Sequence, residues 1–218
     1  MCRFLLFKSN THTEIHDILH KFGKMAEKSR AHDGDRQSDG WGISWNENGK
    51  WKSYKSIKPI WKDLNTITSF PKSTVFAIHA RSASFPQHKN KIEYNQPYIN
   101  DTYSYVFNGL LKGVALSLPG EIGAQKIWAL IKQCLETMDR KTSVIQAVDT
   151  LKNNSRSIQA LNIGLAQKDT IGAYSFFTQY PHYYSLYYVD TPSAKLICSE
   201  PIDGFHFKTL PNDSFIIL

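Results

Sequence analysis

The sequence predicts an α+β fold with mainly antiparallel sheets. Strand-like runs fill much of the first half and the stretch after Ser155, and two helical patterns lie between them. After Ser155 the strand-like runs are broken by turn residues at short intervals, as in a set of antiparallel strands.

CRFLLFK reads as a short buried strand, because Phe4, Leu5, Leu6 and Phe7 are apolar in succession. Asn10 or Thr11 reads as a helix N-cap, with Ile15, Ile18, Leu19, Phe22 and Met25 following at helical spacing. The loop AHDGDRQSDG, dense in Asp and Gly, ends that helix. WGISW and KWKSYKS flank the turn signal NENG and predict a hairpin. IKPIWKDLN is irregular. STVFAIHAR and TYSYVFN are strands, the second running into a tight turn at Asn108-Gly109.

A second helix is expected from about Glu121 to Thr137, with Ile122, Ile127, Leu130, Ile131, Cys134 and Leu135 forming a broad apolar face. Thr142 or Ser143 opens a third, which carries Val144, Ile145, Val148 and Leu151 on one side. SIQALNIGLAQ, GAYSFFTQ, YYSLYYVD, AKLICSE and DSFIIL then read as strands. The dense tyrosines and phenylalanines of this region suit half-buried sheet positions better than a base-stacking platform. A length of 218 residues fits one domain over 1–218, with room for a sizeable core.

A net charge of +7 raises the question of nucleic acid, yet the basic residues are scattered and form no recognised binding motif. No specific nucleic-acid partner is expected. Cys2, Cys134 and Cys198 are odd in number and far apart, which argues against a disulfide framework or a CxxC metal site and predicts a reducing compartment. Cys134 and Cys198 have apolar neighbours and read as packing residues. No run approaches the ~18 apolar residues of a membrane span, and CRFLLFK is too short for a signal peptide. A cytoplasmic protein, with no membrane partner and an N-terminus open to methionine aminopeptidase, is the expectation. His12, His16 and His20 are four apart, but no carboxylate or thiol completes a metal set, so no metal is assigned.

Cys2 stands where removal of Met1 would make it the N-terminus. A terminal cysteine carries both a strong nucleophile and an α-amine that titrates near pH 7.7–8.0, so one residue can attack and move the proton. A pocket to hold the substrate and donors for the oxyanion must come from elsewhere.

The segment after Cys2, SDGWGISW (Ser38–Trp45), AIHARSAS (Ala77–Ser84), NQPY (Asn95–Tyr98) and FNGLL (Phe107–Leu111) occur in that order. Together they resemble the class II glutamine amidotransferases, which are N-terminal nucleophile hydrolases. The resemblance is closest to stand-alone members that carry DGWG and no synthase domain. The ending ICSEPID…LPNDSFIIL resembles the close of the same domain, so the likeness covers nearly the whole chain.

The resemblance implies a four-layer αββα sandwich, a single glutamine amidotransferase type-2 domain, and no cofactor. Cys2 would attack the γ-carboxamide carbon of glutamine, form a thioester and release ammonia. Arg81 matches the arginine that clamps the substrate α-carboxylate, a task suited to a bidentate guanidinium. Ser84 stands at a pocket-lining position. Asn108 and Gly109 match the pair whose side-chain amide and backbone N–H hold the oxyanion. DGWG reads as scaffold for the pocket wall, with Asp39 in a turn and Trp41 in the core.

One departure concerns the acid that binds the substrate α-ammonium near the start of the next helix. EIGAQKIW lacks it at the aligned place, and Glu121, two residues away, is the candidate replacement. The departure keeps two alternatives open: a γ-glutamyl (glutathione-like) peptide hydrolase working as a subunit, and a non-catalytic scaffold that has kept the fold. With no synthase domain in this length, transfer of ammonia would require a partner synthase.

Overall fold

The structure, a computed structural model, describes residues 2–31, 34–63 and 70–218. Among these, two antiparallel sheets are packed face to face. The first contains β1 (Arg3–Thr13), β2 (Trp41–Glu47), β3 (Lys50–Ser56), β4 (Ser73–Ala80), β9 (Tyr187–Asp190), β10 (Ala194–Cys198) and β11 (Lys208–Thr209). Their order is β11-β9-β10-β1-β4-β2-β3. The second contains β5 (Tyr98–Ile99), β6 (Tyr103–Val114), β7 (Ser155–Gln167), β8 (Thr170–Ser175) and β12 (Ser214–Ile217), in the order β12-β8-β7-β6-β5. Helix α1 (His16–Glu27) follows β1; α2 (Gly123–Leu135) and α3 (Arg140–Asn154) join β6 to β7; α4 (Pro181–Tyr184) is one turn before β9.

The layers follow from the period of two along each strand. On β1, Leu5 and Phe7 pack with Ile18, Leu19 and Phe22 of α1, whereas Phe4 and Leu6 pack with Val106 and Ala173 of the other sheet. On β6, Val106 faces that shared interior, and Tyr105 and Phe107 pack on Ile127, Trp128 and Ile131 of α2 and Val148 of α3. The chain is therefore a helix–sheet–sheet–helix sandwich, α+β, with β1 near the middle of its sheet. No described helix is long and apolar enough to cross a membrane.

The NENG hairpin forms as the sequence predicts, with Asn48 and Gly49 both at positive φ between β2 and β3. Several boundaries differ. β1 runs to Thr13, which pairs with Ser73, so α1 starts at His16 and neither Asn10 nor Thr11 caps it. The Asn10 amide instead donates to the Pro192 carbonyl at 2.6 Å. His12 consequently lies on β1, while His16 and His20 remain neighbours on α1 with ring nitrogens 3.1 Å apart.

Helix α3 is opened by Asp139, not Thr142 or Ser143. The Asp139 carboxylate accepts from the backbone N–H groups of Lys141 and Thr142 at 2.9 and 3.2 Å. The late aromatic run is interrupted by α4, where Pro181 occupies the first turn, whose N–H has no intrahelical partner to lose. The largest difference is at Asn108-Gly109, which makes no turn. β6 continues through both residues to Val114, paired with β7 throughout and bulged at Leu110/Leu111. An Asn-Gly pair favours a hairpin only when no long partner strand claims it.

Candidate active site

Cys2 is positioned by its successor. Arg3 opens β1 fully buried, and its guanidinium forms an ion pair with Glu200 at 2.6 Å. It also donates to the carbonyls of Tyr183 (2.7 Å) and Ser199 (2.8 Å) and to Ser29 Oγ (2.8 Å), and it lies 3.8 Å from the Tyr183 ring centre. A buried charge is tolerable only with such a set of partners. The set fixes the start of β1 and leaves Cys2 half-buried with its thiol 3.6 Å from the Ser82 carbonyl. Burial pushes the Cys2 thiol above its usual range, with Arg81 acting in the opposite sense. In the sequence, the signal of Arg3 is a single charge at the head of the apolar run CRFLLFK.

Arg81 follows β4 and is 4% exposed. Its Nη2 donates to the His88 carbonyl at 2.7 Å, its Nη1 reaches Asn95 Oδ1 at 3.5 Å, and the guanidinium lies 5.6 Å from the Tyr94 ring centre. Among the described residues no carboxylate comes within ion-pair distance of it, in contrast to Arg3. Asp39 brackets this segment. Its N–H donates to Arg81 O, Arg81 N–H donates to Gly40 O, and its carboxylate accepts from Ala83 N–H at 2.8 Å. Asp39 is thus a positioning residue for 81–83 rather than a turn residue alone. Trp41 is fully buried, as its reading as core requires.

The NQPY motif ties the other motifs together. Gly40 has φ +113°, and a Cβ there would come 2.4 Å from Asn95 Nδ2; at Gly42 it would come 2.4 Å from the Gln96 carbonyl. The two glycines of DGWG therefore let Asn95 and Gln96 lie directly against β2. Asn95 Nδ2 donates to Ser56 O at 2.8 Å, and Gln96 Oε1 accepts from Phe107 N–H at 2.6 Å. Gln96 thereby fixes β6 one residue before Asn108.

A cavity of about 300 Å³ brings Cys2, Arg81, Ser84, Gly109 and Glu121 onto one wall system. Gly109 must be glycine in this register, because a Cβ would stand 2.2 Å from the Ala160 carbonyl. Asn108 is not on the cavity surface. It is 1% exposed, enclosed one residue before Gly109, and neither oxygen nor nitrogen of its amide has a partner among the described residues. Glu121 precedes α2, and its carboxylate accepts from the Tyr94 hydroxyl. Tyr94 thus stands between Arg81 and Glu121. Among the described residues, no group of three or more His, Cys, Asp or Glu side chains converges as a metal ion would need. Met1, whose removal frees the Cys2 amine, lies outside the described residues.

No family model matches the chain, and no curated protein matches its sequence. Solved structures do match. A glutamine aminotransferase class-II domain protein from Silicibacter pomeroyi superposes with TM-score 0.68 at 14% identity, covering 99% of this chain and 94% of that one. A predicted glutamine amidotransferase from Pseudomonas aeruginosa gives 0.61 at 14% identity, over 99% and 96%. The glutamine phosphoribosylpyrophosphate amidotransferase of Bacillus subtilis gives 0.65 at 15% identity over 91% of this chain, which spans 42% of that longer protein. At these identities the likeness is one of fold: two mainly antiparallel sheets between helical layers.

Proposed function

We propose that the chain is an amidohydrolase of the class II glutamine amidotransferase type, of the stand-alone kind, acting on a γ-carboxamide through a thioester on Cys2. The observation that carries this reading is the convergence on one cavity of Cys2, Gly109 and a buried arginine, Arg81, with no acid partner among the described residues, next to the Asn108 amide, which bonds to none of them.

The chemistry follows from the groups. With Met1 removed, the Cys2 α-amine accepts the thiol proton through water, and the sulfur attacks the amide carbon. The carbonyl oxygen becomes an oxyanion, held by the Gly109 N–H and by the Asn108 amide, which bonds to no described group and must turn from its enclosed position to reach the oxyanion. The proton returns to the amide nitrogen, the C–N bond breaks and the amine departs. Water then cleaves the thioester. Arg81 binds the substrate α-carboxylate, Glu121 the α-ammonium, and Ser84 lines the pocket. Tyr94, donating to Glu121, holds that carboxylate toward the cavity.

Intact mass after incubation with a glutamine-derived diazoketone tests this. The expected result is one adduct on protein lacking Met1, absent from Cys2→Ser and retained in Cys134→Ser. A folded protein lacking Met1 that gains no adduct would overturn the proposal and favour the scaffold reading.

A further inference from the structure

The cavity has two chemical halves. Besides Cys2, the polar side chains on it are Arg81, Ser82, Ser84, His88, Tyr94, Gln96, Glu121 and Lys126. Most of the remaining wall is apolar, formed chiefly by Leu110, Leu111, Val114, Leu116, Leu118 and Ile127, with Lys126 beside Ile127 as its cationic neighbour. Along β6 the apolar wall lies at and beyond Gly109: the Phe107 ring lies over Gly109, and Leu110, Leu111 and Val114 follow. Val114 is five residues on from Gly109, roughly 15 Å along the strand. Two large apolar residues of this wall remain in water, Phe85 at 53% and Val114 at 37% exposure.

Free glutamine uses none of that half. Its α-groups are taken up by Arg81 and Glu121 in the proposed pose, and its amide ends in a bare NH₂. Ammonia is small and strongly hydrated, and it gains nothing from leucine side chains. A substituent on the amide nitrogen, in contrast, would project past Gly109 toward Leu111 and Val114 and remove their surface from water.

We infer that the site takes γ-glutamyl amides whose nitrogen carries an apolar alkyl or aryl group, and releases the corresponding apolar amine. This rests on the reading of Cys2 as the acylated nucleophile. In the step itself the Cys2 sulfur bonds to the γ-carbon and the C–N bond breaks. The nitrogen leaves as a primary amine with the proton handed on from the Cys2 ammonium. Water then cleaves the C–S bond, giving glutamate and the free thiol.

The test is a series of γ-glutamyl ethyl-, butyl- and hexylamides against glutamine, read as kcat/KM and as the rate of Cys2 acylation by mass. The expected gain is about fourfold for each methylene until the apolar wall is covered. Leu116→Asp, at a half-buried wall position, should cut the hexylamide-to-glutamine ratio by about tenfold or more. The ratio is taken within one protein, so a general loss of activity does not imitate the effect. Turnover of glutamine with no gain along the series, or a ratio unmoved by Leu116→Asp, overturns this inference and leaves the Cys2 chemistry standing. The same holds if glutathione-like polar peptides outrun the hexylamide. If no γ-glutamyl compound acylates Cys2, both fall together.

Discussion

Asn108 and Asn162 stand opposite each other across the β6–β7 ladder, and among the described residues only Asn162 finds partners for its amide. Asn162 Nδ2 donates to Tyr184 O at 2.7 Å and its Oδ1 accepts from Phe176 N–H at 3.1 Å, so it ties the end of α4 and the segment after β8 to the sheet. Asn108, equally buried, bonds to nothing described. Residue type and burial match, and the bonding alone separates the two asparagines; on the proposed function, Asn108 is the one that would serve a ligand. Asn108→Ala should leave stability within about 1 kcal/mol of the parent, because no bonded group loses its partner. It should slow Cys2 acylation by about 10²–10³-fold. Asn162→Ala should do the reverse, costing about 1–3 kcal/mol for each group left unbonded. Urea unfolding and acylation rates on the same two variants check both claims.

Arg3 and Arg81 provide a second contrast, since among the described residues Arg3 has an acid partner and Arg81 has none. Glu200→Gln should destabilise the fold by about 3–5 kcal/mol, because it leaves a buried guanidinium without its counter-charge. The double variant Arg3→Met/Glu200→Leu removes the uncompensated charge but leaves the Tyr183 and Ser199 carbonyls without their donor, so it should recover only part of that loss. Acylation should remain slow in the double variant even where stability returns, since Cys2 has lost the anchor beside it. A double variant with parental acylation would limit Arg3 to stability.

Gly40 tests the part played by the DGWG motif. Its φ of +113° and the 2.4 Å approach of Asn95 both exclude a Cβ. Gly40→Ala should cost about 1–3 kcal/mol. Asn95 would have to shift, and it is the side chain that Arg81 Nη1 reaches. KM for substrates with an α-carboxylate should therefore rise more than kcat falls, which steady-state kinetics on substrates with and without that group would show.

His79 gives a pH prediction. It is fully buried on β4, and burial, with Arg81 and Lys55 adding repulsion, holds its pKa down at about 3 against 6.5 for the free side chain. Above pH 6.5 the imidazole is neutral in both states and contributes no slope. Between 6.5 and 3 the unfolded chain binds a proton that the folded chain refuses, so stability falls as pH falls. The contribution is about 1.4 kcal/mol per pH unit inside that window. His79→Gln should remove that share of the slope, seen as the difference between the two proteins in unfolding free energy from pH 7 to pH 4.

The sequence by itself determined the features that depend on near neighbours along the chain. The run Phe4-Leu5-Leu6-Phe7 became a strand buried on both faces, Asn48-Gly49 became a hairpin, and the apolar faces of α2 and α3 met the second sheet. The ordered motifs also named Cys2, Arg81, Ser84, Gly109 and Glu121, all of which line one cavity. Tertiary structure decided whatever depends on a distant partner. Asn108-Gly109 is locally a hairpin signal, and only the long ladder with β7 makes it strand. Asn10 could cap a helix, but pairing between β1 and β4 carries the strand to Thr13. Asp39 holds 81–83, Gln96 holds Phe107, and Glu200 neutralises Arg3 from almost the other end of the chain. Side-chain periodicity is written in residues two to four apart, whereas hydrogen-bond and charge partners are chosen by whichever strand folding brings alongside.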